Sequence, residues 1–462
     1  MVAHSHRSPP KLSCFKYSFR LILALLVIHW FYMLSQFPQA LDLLSFWPYH
    51  APFPFEFTDG WHPANRSDRF PSVEERVKLY MSNWYFPPCN DDDKLTHRIE
   101  LVEGWPHAFV SKRNASVEID SIVHADRLFL FHNETIRDCA RTIPEINKEG
   151  PLKTESRIFQ RKNMRSYCSE VVGLLDNMRA FDLVTPKEHR NPTPVFGQFG
   201  DLPPVLVEPV IPVIGKWRAA MTQPVQVSTE SCVTKRTPLK TSMYKGFSPI
   251  VWKLEVHRHW DPLESARRQD VPWNKKKLGA LWRGAFTGTH VQGTDEELCL
   301  KNQRCQFVLQ HAHSKLIDAG LSDGLNVLKS KSINGMQVFR DRVAIYQIQQ
   351  YKVIISMEGN DVASGLKWSL LSESVVVMPA PTRTSWAMEE LLEPWVHYIP
   401  MHPNGSNAEE RIEWVGQNDE AAHRIAERGR MFIYDLLYHP DAAQDEQKVK
   451  EEIARRYRQL WQ

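Results

Sequence analysis

Short apolar runs bounded by turn residues dominate the second half of the chain. Tyr351-Lys352-Val353-Ile354-Ile355-Ser356-Met357 and Val375-Val376-Val377-Met378 read as buried strands of a parallel sheet. The first runs into the polar loop Glu358-Gly359-Asn360-Asp361 and then a helix start at Val362-Ala363-Ser364-Gly365-Leu366-Lys367-Trp368. The second runs into the loop Pro379 to Ser385, followed by an expected helix from Trp386 to Leu392 and a strand from Val396 to Pro400. Two strand-loop-helix units in series predict a nucleotide-binding half-domain, because an α/β protein holds phosphate where a strand ends and a helix begins.

The first half carries weaker signals of the same kind. Strand-like runs fall at Ala108 to Val110, Leu128 to Phe131 and Pro204 to Val207. Between them Cys168 to Phe181 repeats Val171, Val172, Leu174, Leu175 and Met178 at a helical period. Asp68 to Tyr85 has helical spacing with acidic residues early, and Pro87-Pro88 ends it. This predicts an N-terminal α/β domain over 76–269 and a C-terminal one over 270–462. The latter would begin at Leu278 to Trp282, pass through helices at Gln306 to Ala319 and Asp341 to Tyr346, and close with an amphipathic helix from Glu446 to Trp461.

A different regime occupies the N-terminus. Arg7, Lys11, Lys16 and Arg20 precede or begin an apolar run from Phe19 to Phe37, with no Asp or Glu among the first twenty residues. That length approaches the ~20 residues needed to cross a bilayer, and the basic flank keeps the leading end cytosolic. Small residues spaced for signal cleavage are missing after the run, so an uncleaved signal anchor is expected over 19–37. Residues 1–18 would be a cytosolic tail. Residues 38–75, broken by Pro48, Pro52, Pro54 and Pro63, would be a stem.

Composition narrows the partners. A chain of 462 residues with 42% hydrophobic content can build two α/β cores, and a formal charge of only +3 gives no reason to expect nucleic acid. Four sequons, at Asn65, Asn114, Asn133 and Asn404, agree with a luminal location in the ER or Golgi. Cys14 precedes the anchor and leaves six cysteines on the oxidising side. Cys299 and Cys305 are the easiest pair to bridge, closing a short loop; two buried thiols are the alternative. No Cys-x-x-Cys pair supports a zinc site. Asp91-Asp92-Asp93 has the spacing of a metal-diphosphate motif but follows Pro87-Pro88-Cys89-Asn90, which favours a polar surface turn. The triplet Lys275-Lys276-Lys277 is expected to be a solvated strand edge.

Several ordered motifs carry a family resemblance: Pro272 to Lys277 with Trp282-Arg283-Gly284, then Glu358 to Trp368, Pro394 to Pro400, and Ala426 to Gly429. Together they resemble glycosyltransferase family 90, which includes capsule-associated sugar transferases and protein O-glucosyltransferases and O-xylosyltransferases. The resemblance implies a GT-B arrangement, two Rossmann-like domains facing across a cleft. It also implies a metal-independent enzyme with no cofactor, whose co-substrate is a UDP-sugar and whose acceptor is a protein or glycan hydroxyl.

Such a transfer needs a base for the hydroxyl proton and positive charge for the departing diphosphate. Asp201 lies in a glycine-bracketed turn, Phe196 to Pro204, where a carboxylate can reach a hydroxyl. The resemblance implies that it is the base, although Gly200-Asp201-Leu202-Pro203 stands where the O-glucosyltransferases have Arg-Asp-Tyr-Pro. A turn Asp capping its own backbone is the bland alternative. Arg283 and Gly284 leave an apolar strand, and the resemblance implies that Arg283 contacts diphosphate, with Thr287 and Thr289 adding hydroxyls. Glu358, Gly359 and Asp361 would hold ribose or sugar, and Ser364 and Lys367 the phosphates, unless the acids cap the helix and Lys367 faces water. Among 15 Trp, Trp386 is the candidate stacking platform, directly after the Thr382 to Ser385 loop. A membrane-tethered carbohydrate-binding protein without turnover, and a secretory phosphotransferase, are the rival readings.

Overall fold

The computed structural model describes residues 70–120, 128–131, 193–198, 210–221, 231–234, 239–240, 245–246, 248–253, 263, 265–288, 292–324 and 327–462. The apolar run 19–37, the stem as far as residue 69, the segment 168–181, the run 204–207, Asn65, Asn133, Asp201 and Thr289 lie outside these residues. Among the described residues no helix is long and apolar enough to cross a membrane.

The sheet that positions the site has five strands: β11 (Lys277–Ala285), β12 (Ile317–Asp323), β15 (Tyr351–Ile355), β16 (Val375–Met378) and β18 (Ile399–Pro400). Their order is β12-β11-β15-β16-β18, and every neighbouring pair is parallel. Val353, Ile354 and Ile355, and all of β16, are buried, as continuous apolar runs require when both faces of a strand are covered. The crossovers hold α2 (Asp295–Leu300) and α3 (Gln303–Gln310) between β11 and β12, α4 (Ile345–Ile348) before β15, and α5 (Leu366–Leu371) before β16. Two short antiparallel strands, β13 (Ser332–Ile333) and β14 (Met336–Gln337), lie between β12 and α4. After β18 come α6 (Ala408–Gln417), α7 (Asp419–Leu437) and α8 (Ala442–Arg458).

The amino-terminal part begins with α1 (Val73–Met81), started by a capping box in which the Ser72 hydroxyl accepts from the Glu75 N–H and Glu75 reaches back to the Ser72 N–H. A meander of β1 (Thr96–Val102), β2 (Trp105–Lys112) and β3 (Ala115–Asp120) follows. Its first turn is Glu103-Gly104, both with positive φ as a two-residue hairpin demands. A second sheet runs β10-β6-β5-β4, from β4 (Leu128–Phe131), β5 (Val195–Gln198), β6 (Val213–Gly215) and β10 (Ile250–Val251); β4 is antiparallel and the other pairs are parallel. β8 (Leu239–Lys240) and β9 (Lys245–Gly246) form a small hairpin.

Two ties hold these parts together. β7 (Trp217–Ala219), one residue beyond β6, pairs antiparallel with β17 (Arg383–Ser385) from the C-terminal half. α8 packs on α1, the Tyr457 hydroxyl donates to the Pro194 carbonyl at 2.9 Å, and Leu95 bridges to Trp461. The apolar core is accordingly continuous, running from Val77 through Phe196 and Trp252 to Leu370, Ile433 and Trp461. The described residues from 70 to 462 fall in one compact unit.

Several expectations are corrected. The helix over Gln306 to Ala319 stops at Gln310, because Ile317 to Ala319 are drawn into β12 beside β11. The helix over Trp386 to Leu392 is absent: Met388 adopts a left-handed conformation and only the single turn Glu389–Leu391 follows. Lys276 is buried, not solvated, its ammonium donating to the Gln349 carbonyl at 2.6 Å and pairing with Asp270. Asp91 to Asp93 do form a surface turn, tied to Lys94 and Arg113. Cys299–Cys305 is a disulfide, and Cys89–Cys232 is a second. Asn114 is exposed at the β2–β3 turn, whereas half-buried Asn404 turns its side-chain oxygen to the Ser406 N–H at 3.1 Å.

Candidate functional site

Strand order locates the site before any side chain is considered. From β11 the chain adds β12 on one side and then crosses to β15 on the other, so the loops leaving β11 and β15 diverge and open a crevice at their carboxyl ends. A cavity of about 330 Å³ lies there. Its walls are the loop after β11 (Thr287, Gly288), the loop after β15 (Ser356 to Gly359) and the loop after β16 (Met378 to Arg383), with Lys301, Gln303 and Arg304 closing one end.

The loops are held by hydrogen bonds that leave little freedom. Gly288 N–H donates to Asn360 Oδ1 at 2.8 Å. A Cβ on Gly359 would sit 2.6 Å from Thr287 Oγ1 and 3.0 Å from Arg304 Nη2, so only glycine lets the walls approach this closely. Glu358 fixes the third wall. One of its oxygens accepts the Thr382 N–H at 2.9 Å and the Arg383 N–H at 3.0 Å; the other accepts the Thr382 hydroxyl and Arg383 Nη1, the latter at 2.6 Å. Four donors fill the acceptor capacity of a carboxylate. Glu358 is therefore a clasp between loops, where the sequence suggested a sugar or ribose ligand.

The charges in the cavity are unequally compensated. Arg304 donates only to main-chain carbonyls, those of Ala285, Met357 and Glu358, at 3.1, 2.7 and 3.1 Å. Burial lowers its pKa to about 10, against the opposing pull of Asp361 and Glu358, so it stays cationic at neutral pH. Arg383 is held by Glu358 and lies 5.6 Å from the Trp217 ring, while its buried Nε has no hydrogen-bond partner among the described residues. Lys301 adds an exposed ammonium at the rim. Glu389, the second carboxylate lining the cavity, accepts from the Ser385 N–H at 2.6 Å and hydroxyl at 2.7 Å and pairs with Lys367 at 3.1 Å. Both acids are neutralised locally, which leaves a cationic excess toward the cavity. Among the described residues no three His, Cys, Asp or Glu side chains come together as metal ligands.

Of the residues named from sequence, the cavity collects Thr287, Glu358 and Gly359. Arg283 points elsewhere: its guanidinium is spent on both oxygens of Asp318 and on the carbonyls of Asp318, Trp282 and Asp341. Gly284 is small because a Cβ would strike the Trp282 ring at 2.6 Å. Asp361 pairs with Lys216 at 2.7 Å, and Ser364 is exposed outside the cavity. Lys367 acts at one remove, through Glu389. Trp386 is only 3% exposed, with the Lys253 and Lys367 ammonium groups 5.6 and 5.5 Å from its ring, which leaves no open face for a sugar. Arg304 and Arg383 were missed, although each stood in a flagged segment, the Cys299 to Cys305 loop and the Thr382 to Ser385 loop.

Fold and site together define an α/β protein with a cation-lined ligand crevice at the switch point of a parallel sheet. Residues 249–444 match the sequence model of the family described as Glycosyl transferase family 90. It is 32% identical over 185 residues to O-glucosyltransferase LpsA of Dichelobacter nodosus, covering 40% of this chain and 50% of that protein. It is 27% identical over 261 residues to protein O-glucosyltransferase 1 of Homo sapiens, covering 54% of this chain and 60% of the relative. A third relative, protein O-glucosyltransferase 2 of Danio rerio, is 29% identical over 161 residues, 29% of its length. The chain thus spans at most 60% of these three proteins.

Proposed function

We propose that this chain is an inverting glycosyltransferase that moves glucose or xylose from a UDP-sugar to a hydroxyl of a protein or glycan, from the luminal side of an ER or Golgi membrane. One observation carries the proposal: at the β11/β15 switch point, Lys301 and Arg304 line a cavity whose two carboxylates, Glu358 and Glu389, are already paired with Arg383 and Lys367. A nucleoside diphosphate is the kind of anion that such an excess attracts, and Arg presents the planar fork that fits its oxygens. The names of the relatives, O-glucosyltransferases, support glucose and an oxygen acceptor.

In the proposed reaction the acceptor hydroxyl attacks the anomeric carbon opposite the diphosphate. The new C–O bond forms as the bond to phosphate oxygen breaks, and the hydroxyl proton passes to a base, for which Asp201 is the candidate. Lys301, exposed at the rim, takes up the charge that develops on the leaving diphosphate, beside the Arg383–Glu358 pair. Arg304 adds its positive field while its donors remain on the backbone.

The test is release of UDP by the full-length protein from UDP-glucose, UDP-xylose and UDP-galactose, and of GDP from GDP-mannose, with and without acceptor. Turnover of UDP-glucose or UDP-xylose is expected. Asp201→Asn should lower transfer by about a hundredfold or more and leave UDP affinity unchanged. No UDP release from any donor, or full activity in Asp201→Asn, overturns the donor reading or the base assignment respectively.

A further inference from the structure

Three of the cavity's side chains come from one short loop. The Cys299–Cys305 disulfide spans a sequence separation of only 6, and Lys301, Gln303 and Arg304 from within it line the cavity. Both half-cystines are wholly buried. Asn302, also wholly buried, works in two directions: its Oδ1 accepts the Cys305 N–H at 2.9 Å, capping α3, and its Nδ2 donates to the Thr287 carbonyl at 2.8 Å.

Arg304, next to the bridge, reaches further. Its three hydrogen bonds join the Ala285 carbonyl at the end of β11 to the Met357 and Glu358 carbonyls just beyond β15. One guanidinium therefore ties together the carboxyl ends of the two strands that flank the switch point. Glu358 passes the restraint to the third wall through Thr382 and Arg383. Every wall of the cavity depends on a single disulfide-closed loop. Satisfying three carbonyls on two strands calls for donors fixed in one plane, which Arg has and Lys lacks.

From this we infer that the 299–305 loop is the positioning element of the cavity, with Arg304 as its positioning residue, and that a thiol reductant which opens the bridge loosens the hold on a nucleoside diphosphate. The second part rests on the nucleotide reading above. In the opening step a dithiol gives two electrons to the Cys299–Cys305 bond, both sulfurs end as thiols with the dithiol's two protons, and the dithiol leaves as its own disulfide. Without the bridge, Arg304 no longer enters its three bonds from a fixed backbone.

The experiment compares the full-length protein with Arg304→Lys, with the Cys299→Ala/Cys305→Ala pair, and with the triple variant. Substitution replaces bulk reductant because Cys89–Cys232 would open as well. Hydrogen exchange over 285–288 and 356–360 reads the positioning directly, and UDP affinity reads its consequence. Exchange over both segments is expected to quicken about tenfold in Arg304→Lys and in the cysteine pair while β16 keeps its wild-type rate, and UDP binding to weaken about tenfold. The triple variant should be no worse than the worse of the two, because both changes act along one line of contacts. Unchanged exchange at 356–360 in Arg304→Lys, or effects that multiply in the triple variant, overturns the inference. A wild-type protein that takes no UDP removes the nucleotide reading instead, and exchange alone then decides the positioning.

Discussion

Glu389 shows how one side chain can be set by forces of opposite sign. Burial favours its neutral form, but the Lys367 ammonium and the N–H and hydroxyl of Ser385 outweigh that, and the carboxyl is held below its ordinary value of 4.5. A group with a depressed folded pKa stabilises the fold above its unfolded pKa, and that contribution is lost as pH falls through the folded value. Glu389→Gln should therefore cost about 3–5 kcal/mol at pH 7, because it leaves the Lys367 charge buried without a counter-charge. It should also flatten the loss of stability below about pH 4.5. Urea unfolding of both proteins at pH 7 and pH 4 measures both effects; a variant with the wild-type pH slope would show that Glu389 is not what acid titrates. At this scale the sequence was only partly legible. Lys367 and Arg283 stood where phosphate ligands are expected, yet Glu389 and Asp318, both distant along the chain, claim their charges. No local pattern announces such a partner.

At the scale of elements, β11, β15 and β16 were legible because strands buried on both faces leave uninterrupted apolar runs in the sequence. The stretch after β16 was not. Its apolar Trp386, Met388, Leu391 and Leu392 suit a helix, but β7 takes the backbone of Arg383 to Ser385 into a strand pair and the Ser385–Glu389 contacts fold the following turn tightly. Long-range pairing overrode local propensity. The loops between elements show the same dependence on close contact. Gly359→Ala should separate the loops after β11 and β15, since the added Cβ would meet Thr287 Oγ1 at 2.6 Å and, at 3.0 Å, Arg304 Nη2, which is anchored on the Met357 carbonyl. UDP binding should weaken by about tenfold or more, with the far-ultraviolet circular dichroism of the wild type retained. Unaltered binding would place the ligand away from this wall.

Across the whole molecule, the expectation of two domains rested on chain length, on alternating strand and helix patterns and on the family resemblance, none of which reveals which surfaces are shared. Arg218 is a principal fastening. Fully buried, it grips both oxygens of Glu390 and donates to the Leu79 carbonyl at 2.8 Å and the Ala219 carbonyl at 2.8 Å, joining α1, β7 and the turn after β17. Arg218→Ala should destabilise the protein by about 3–5 kcal/mol through the abandoned Glu390 charge. Guanidinium unfolding is the measurement, and a loss below about 1 kcal/mol, the level of an exposed pair, would show that the fastening is solvated.

The β7–β17 pair has a mechanical consequence. Arg383, at the mouth of the cavity, shares its main-chain ladder with Ala219, and β7 starts one residue past β6. A molecule that leans on the amino-terminal sheet would therefore pull on Arg383 through peptide bonds, with no side chain needed as a messenger. A load on that sheet is thereby felt at the cavity mouth through three rungs of backbone.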